Sequence, residues 1–173
     1  MRNKRELPQA KRALYEYVIG QLNSLFEGSK NTLCNLANAS SLLYYSLPQT
    51  NWTGFYLIKD NKLTLAPFIG EVACSHIDIG KGVCGKAVAT NQTIVVDDVK
   101  QFVGHISCDT DSQAEIVIPL RVGQNVVGVL DLDSPYTHRF DSVDKDYLEQ
   151  IAQIITHSCD WADNTLIDTD LLH

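Results

Sequence analysis

The sequence lacks a block of basic residues, a long apolar run and any short cysteine pair. Its formal net charge is −7, and local basicity is confined to the first dozen residues. Nucleic acid is therefore not an expected partner, because phosphate binding depends on clustered Lys and Arg side chains. No stretch has the apolar run of a signal peptide or of a membrane span, so we expect a cytoplasmic protein without membrane contact.

Length and composition indicate a single domain. The chain has 173 residues, of which 45% are hydrophobic, and such a chain can bury a substantial core. It shows no internal repeat, no low-complexity tract and no interdomain linker. We predict one domain over residues 1–173, with its core at about 14–157 and short terminal extensions.

Apolar spacing and turn residues predict an order of helices, hairpin-linked strands and a final helix. The predicted helices span Pro8 to Glu27, Asn31 to Leu47, Val83 to Ala89, and a segment that starts at Asp141 or Ser142. The predicted strands span Thr53 to Ile58, Leu63 to Pro67, Glu71 to Ile77, Thr93 to Val96, Glu115 to Arg121, and Val126 to Asp133. This order is typical of an α+β fold, with helices packed on a mostly antiparallel sheet of about six strands.

The five cysteines are odd in number and widely spaced, which does not suggest a secreted disulfide scaffold. In a reducing compartment they point to metal or redox chemistry. Cys34 and Cys159 lie in predicted helices and are assigned to packing, as free cysteine is often buried. Cys74, Cys84 and Cys108 lie in irregular, glycine-punctuated segments and are the functional candidates.

Two of these cysteines have neighbours that could activate a thiol. Cys84 follows Gly80-Lys81-Gly82 and falls in the first turn of a predicted helix, where the helix dipole and Lys81 favour the thiolate. The glycines could equally serve backbone geometry alone. Cys108 lies in a polar loop near His105, which could help to ionise it or could only bind the loop backbone.

Three acidic residues could converge on one face of the sheet. Asp131 and Asp133 are two apart in one strand and therefore share a face. A three-residue loop at 123–125 would place Glu115 opposite Asp133, whereas a two-residue loop would send Glu115 to the other face. Convergence would raise the pKa of at least one carboxyl group, and the group could equally hold an ammonium ion. Otherwise these side chains are simply solvated.

Trp52 and Tyr56 flank the start of the first predicted strand, four residues apart, and so lie on one face. They could form the wall of a small pocket or pack in an ordinary aromatic core.

The central region contains cysteine and histidine residues of the kind that bind zinc. Structural zinc sites usually bring cysteines in pairs two to four residues apart, which this spacing does not offer. We therefore predict no metal. The ligands considered were Cys74, His76, Cys84, His105 and Cys108.

Together these segments resemble one known family. The chain is similar to the free methionine-(R)-sulfoxide reductases, which are stand-alone GAF domains, from about Leu14 to Ile155. Three cysteines in this order within a GAF-like pattern are specific to that family. The segments that carry the resemblance are Asn-Trp-Thr-Gly-Phe-Tyr at 51–56, Ala-Cys at 73–74, Gly-Lys-Gly-Val-Cys-Gly at 80–85, Gly-His-Ile-Ser-Cys-Asp at 104–109, Glu-Ile-Val-Ile-Pro at 115–119 and Gly-Val-Leu-Asp-Leu-Asp-Ser-Pro at 128–135.

The resemblance implies a thiol-dependent reductase that needs no cofactor. Cys108 would be the nucleophile, Cys74 the resolving thiol and Cys84 an auxiliary cysteine. Thioredoxin would recycle the disulfide, and the terminal helices would suit a homodimer. The implied substrate-binding residues are Trp52 and Tyr56 for the methyl end, and Glu115, Asp131 and Asp133 for the ammonium group and the sulfoxide oxygen.

An alternative reading is a non-catalytic GAF module that senses a small molecule or redox state. Such a module would need a separate output partner, and it would leave the three cysteines without a purpose.

Overall fold

A computed structural model describes residues 6–104, 111–162 and 166–167. None of the helices in these ranges is both long and apolar enough to cross a bilayer. The helices are α1 (Lys11–Phe26), α2 (Thr32–Ser46), α3 (Gly82–Thr90) and α4 (Ser142–Ser158), with a short 3-10 helix at Val99–Gln101. The strands are β1 (Trp52–Lys59), β2 (Lys62–Ile69), β3 (His76–Asp78), β4 (Ile94–Val96), β5 (Ala114–Val122) and β6 (Asn125–Ser134).

The six strands form one antiparallel sheet in the order β3-β2-β1-β6-β5-β4. The predicted α+β class and antiparallel sheet are therefore confirmed. The third strand is shorter than predicted, since β3 begins only at His76. Gly70, at φ +141°, follows β2 in a conformation that favours glycine, and residues 71–75 form an irregular segment that carries Cys74.

The two faces of the sheet carry separate cores, because alternate side chains of a strand point to opposite faces. The larger core lies against α1, α2 and α4 and includes Phe55, Leu57, Ile116, Leu130 and Leu132. The smaller core lies on the face covered by α3 and includes Trp52, Tyr56, Cys84, Val117 and Val129. Every predicted site residue that the structure describes lies on or beside this smaller face.

Polar caps set the ends of the helices on the larger face. The Asp141 carboxylate accepts from the backbone N–H of Asp144, whose own carboxylate accepts from the Asp141 N–H. The predicted start of the last helix at Asp141 or Ser142 is thus confirmed. At the start of α2, the Asn31 side chain accepts a hydrogen bond from the N–H of Cys34.

Two leucines of the first two helices are not part of the core. Leu25 is 44% exposed and the adjacent Phe26 is buried in its place. Leu33 is 53% exposed, while the preceding Thr32 is buried and donates its hydroxyl to the Asp160 carbonyl. Helical spacing tolerates either of two adjacent positions, and the neighbouring elements decide which one is covered.

Candidate active site

The hairpin between β5 and β6 decides where the acidic side chains lie. Its loop has two residues, because Val122 pairs with Asn125. With a two-residue loop and a regular register, Glu115 would lie on the face of the sheet opposite to Asp131 and Asp133. A bulge next to Leu120 shifts the register by one residue, and Glu115 therefore pairs with Asp133 after all.

This register gathers the three acids at one end of the sheet. Asp131 lies between Gly54 of β1 and Val117 of β5, two residues before Asp133 on the same face. Glu115 and Asp131 are each 6% exposed. Asp133 is half-buried. Of the two arrangements that the sequence left open, the structure therefore has the convergent carboxylates and not the solvated strand end.

Cys84 brings a thiol onto this acidic group. It stands in the first turn of α3, and its Sγ donates to Asp131 Oδ2 at 3.2 Å. A second carboxylate oxygen, Glu115 Oε1, lies 4.0 Å from the same sulfur. Gly85 permits this close seating, because a Cβ at that position would stand 2.4 Å from the carbonyl oxygen of Asp78.

The predicted thiolate at Cys84 is wrong. Burial raises the pKa of the Cys84 thiol well above its usual value, and the charges of Asp131 and Glu115 raise it further. The helix dipole and Lys81 do not offset these effects, since Lys81 is exposed while the sulfur is buried among carboxylates. Cys84 is therefore a protonated donor.

The acidic group itself holds protons. Burial raises the pKa of Asp131 well above the usual aspartate value, and the nearby Glu115 charge adds to the effect. The direction agrees with the rise expected for converging carboxylates, although burial and not charge repulsion is its first cause. Among the described residues, Asp131 Oδ1 is buried without a hydrogen-bond partner. Such an oxygen is costly to desolvate unless a ligand meets it.

Aromatic rings form the wall beside the acids. The rings of Trp52 and Tyr56 are stacked with centroids 6.1 Å apart, and Trp52 also stacks on Phe68 at 5.3 Å. Both residues are buried, so they serve as core and as wall. Phe68 and Gly54 were not predicted as site residues, and a Cβ at Gly54 would stand 2.3 Å from that of Phe68. A glycine inside a strand often marks such a close approach.

The aromatic wall also positions the segment that carries Cys74. The Tyr56 hydroxyl donates to the Cys74 carbonyl at 3.0 Å. The Trp52 Nε1 donates to the carbonyl of Glu71 at 3.1 Å. Burial raises the pKa of Tyr56, with Asp131 the next contributor, so its hydroxyl stays a donor at neutral pH. Residues 71–75 are thereby hydrogen-bonded to the aromatic wall of the site.

The cysteines fall into two chemical states. Cys74 is half-buried and forms a disulfide bond, whereas Cys34, Cys84 and Cys159 are free thiols. The predicted packing role fits Cys159, whose burial raises its pKa to about 11. It is wrong for Cys34, which is exposed.

Two of the predicted residues, Cys108 and His105, lie outside the described residues. Farther along the chain, the Asn51 Nδ2 donates to the Ser112 hydroxyl at 3.0 Å, a contact not predicted from the sequence.

One group in the described part of the chain could hold a metal ion. The sulfur of Cys84 and one oxygen each of Glu115 and Asp131 all lie within 4.8 Å of one another. Of the soft ligands considered from the sequence, Cys84 belongs to this group, whereas Cys74 is in a disulfide and His76 is exposed on β3.

Comparison with known proteins places this geometry in a family. Residues 38–158 match the model of the GAF domain. A free methionine-R-sulfoxide reductase of Escherichia coli is 49% identical over 129 residues, which cover 75% of this chain and 78% of that protein. The corresponding reductase of Saccharomyces cerevisiae is 41% identical over 157 residues, covering 86% and 87%.

The chain belongs to the free methionine-R-sulfoxide reductase family. A solved structure of such a reductase from Neisseria meningitidis in complex with its substrate has a TM-score of 0.85 and 38% identity, covering 88% of this chain and 93% of that one. The predicted family and GAF fold are thus confirmed. The extent of the domain over residues 1–173 stays a prediction, as do the roles of the individual site residues.

Proposed function

We propose that this protein reduces free methionine-(R)-sulfoxide to methionine, with Cys108 as nucleophile and Cys74 as resolving thiol. The observation that carries the proposal is the convergence of Glu115, Asp131 and Asp133 on an aromatic-walled face, beside a cysteine that forms a disulfide. Family membership supports the reaction. The disulfide state of Cys74 supports its redox role, because the other described cysteines are free thiols.

Glu115 and Asp133 are proposed to hold the substrate's ammonium group. They are paired across β5 and β6, so their carboxylates can flank one cation. Trp52 and Tyr56 offer apolar ring surface for the methyl end, next to these acids. A free amino acid sulfoxide has both a cation and an apolar end, which this arrangement matches.

Asp131 is proposed as the proton donor to the sulfoxide oxygen. Its raised pKa keeps a proton available near neutral pH, and its Oδ1 has no partner among the described residues. The Cys84 thiol donates to the other carboxylate oxygen at 3.2 Å and so orients the group. Protonation of the sulfoxide oxygen makes the sulfur electrophilic.

The Cys108 thiolate then attacks the sulfoxide sulfur. The sulfur–oxygen bond breaks, methionine leaves with the sulfur reduced, and the oxygen ends on Cys108 as a sulfenic acid. The Cys74 thiol displaces that oxygen as water, which forms the Cys108–Cys74 disulfide. Two thiols and one sulfoxide thus give one disulfide, one methionine and one water.

An external dithiol protein such as thioredoxin is proposed to reduce the disulfide by exchange. Cys74 is half-buried rather than sealed in the core, which leaves it open to such a partner. A reducing cytoplasm would support this cycle. A homodimer through the terminal helices remains part of the proposal.

The decisive test is turnover of free L-methionine-(R,S)-sulfoxide with a thioredoxin system, followed by NADPH loss and chiral analysis of the residual sulfoxide. We expect consumption of the R epimer alone. Cys108→Ser should abolish turnover, whereas Cys74→Ser should release one equivalent of methionine and then stop. Cys34→Ser, at an exposed thiol, is the matched control and should retain full activity. Multiple turnovers by Cys108→Ser would contradict the assignment of the nucleophile.

A further inference from the structure

The group formed by Cys84, Glu115 and Asp131 has the composition of a metal site with an open position. One sulfur and two carboxylate oxygens are the kinds of atom that zinc and its heavier relative cadmium bind. We propose that this group binds a thiophilic divalent cation, and that the bound ion inhibits the enzyme by occupying the acidic end of the substrate pocket.

The distances suit such an ion. Zinc–sulfur and zinc–oxygen bonds of about 2.3 and 2.0 Å place a sulfur and an oxygen ligand about 3.5 Å apart in a tetrahedron. The Cys84 sulfur lies 3.2 Å from Asp131 Oδ2 and 4.0 Å from Glu115 Oε1. All three ligand atoms lie within 4.8 Å of one another, so local movements of these side chains would bring them onto one ion.

A second observation, the hydrogen bonding of Asp131, also points to a ligand at this position. Asp131 is 6% exposed, yet its Oδ1 has no hydrogen-bond partner among the described residues. Natural proteins rarely leave a buried carboxylate oxygen unsatisfied, since its desolvation is costly. A cation beside this carboxylate would remove that cost.

Charge balance favours a dication over a monovalent ion. Cys84, Glu115 and Asp131 are buried together, so one thiol and two carboxyl groups lie within 4.8 Å of one another. Asp133 and the Tyr56 hydroxyl are the further titratable groups that face Cys84 or Asp131. Binding would release the protons of Cys84 and Asp131 and replace them with the ion.

The bound ion would compete with the substrate. Glu115 is both a proposed ligand of the ion and a proposed partner of the substrate ammonium group, so the two cannot be held together. This inhibition rests on the proposed function, whereas the binding itself depends only on the geometry. We expect Cd²⁺ to raise the apparent KM for the sulfoxide and to leave kcat unchanged.

Binding is tested with Cd²⁺ alone, on protein whose Cys74 is kept in its disulfide. In that state Cys34, Cys84 and Cys159 are the free thiols among the described residues. Titration should show one equivalent of Cd²⁺ and an ultraviolet thiolate-to-cadmium charge-transfer band. Loss of even an outer partner costs about 10–100-fold in metal affinity, so Cys84→Ala should weaken binding by about 100-fold or more.

Two further variants keep the test sharp if Cys84→Ala folds poorly. Asp131→Asn retains the thiol and should weaken Cd²⁺ binding by at least about tenfold. Cys34→Ser is the matched control and should bind as the wild type does. Binding that survives both pocket substitutions, binding lost in Cys34→Ser, or no binding by the wild type would each overturn the proposal. Cd²⁺ binding by a protein without reductase activity would refute the proposed function and leave this site standing.

Discussion

Each face of the sheet buries one aspartate, and the two carboxylates differ in how completely they are hydrogen-bonded. Asp144 lies on the face covered by α1, α2 and α4, which we call the helical face. It is fully buried and accepts hydrogen bonds from Lys11, Tyr15 and Arg139 at 2.7 to 3.0 Å. Asp131, on the α3 face, has only a thiol donor at 3.2 Å and one unpartnered oxygen among the described residues. Complete satisfaction marks a structural carboxylate, whereas incomplete satisfaction marks one kept ready for a ligand.

Asp144 ties three parts of the helical face together. Its partners come from α1 and from the segment before α4, and its own side chain and backbone N–H close the α4 cap. Arg139 is only 5% exposed in its side chain, so it relies on this carboxylate for charge balance. Removing one member of a buried pair leaves the other uncompensated, which is more costly than losing the contact itself.

The largest expected effect is on stability. Asp144→Asn should lower the free energy of unfolding by about 3–5 kcal/mol, because it leaves the Arg139 charge buried and unpaired. Urea denaturation measures the change. Asp146→Asn, at an exposed position on the same helix, is the control and should alter stability little. Equal stability of the two variants would remove the distinction drawn between the two buried aspartates.

The second effect is on activity. Asp131→Asn should lower kcat by about 100-fold, the usual scale for loss of a general acid, while the fold is retained. Asp78→Asn is a matched control on the edge strand β3, where the side chain is 65% exposed, and should leave kcat unchanged. Wild-type kcat in Asp131→Asn would exclude the carboxyl as proton donor.

The pH dependence of stability sharpens the same comparison. The pKa of Asp131 is raised in the folded protein, so its contribution is fully present below the unfolded pKa and is lost as pH rises through the folded one. Asp131→Asn should therefore become more stable relative to the wild type as pH rises above about 4. Denaturation over a pH series tests this, and a difference that stays constant with pH would contradict it.

The smallest effect concerns the exposed end of the helical network. The hydrogen bond from Lys11 is the main cause that lowers the pKa of Asp141 to about 2, so its contribution is present above the unfolded pKa and is lost as pH falls through about 2. Asp141 is largely solvated, and Asp141→Asn should cost only about 1 kcal/mol at neutral pH, mostly through the weakened cap. A loss as large as that of Asp144→Asn would show that burial is not what separates them.

The candidate site could be predicted from the sequence where the pattern is local. Trp52 and Tyr56, or Asp131 and Asp133, share a face because strand side chains alternate, and both pairs lie as predicted. The position of Glu115 could not be derived this way. It depends on a bulge next to Leu120 that changes the register set by the loop. No glycine or other turn residue at that position indicates the bulge in the sequence.

Cys84 shows the same limit in its chemistry. The glycine-rich turn correctly indicated a helix start, and the local field of that start favours a thiolate. The tertiary structure instead buries the sulfur 3.2 Å from the Asp131 carboxylate, which keeps the thiol protonated.

By itself, the sequence determined the elements, the α+β class, the family motifs and the faces on which the aromatic and acidic side chains lie. Alternation, capping and turn chemistry are local, so they can be read along the chain. Only the tertiary structure decided the register of Glu115, the protonation of Cys84 and the unequal treatment of Asp131 and Asp144. Those properties arise from burial and from partners distant in sequence, because desolvation and charge pairing depend on what surrounds a group in space.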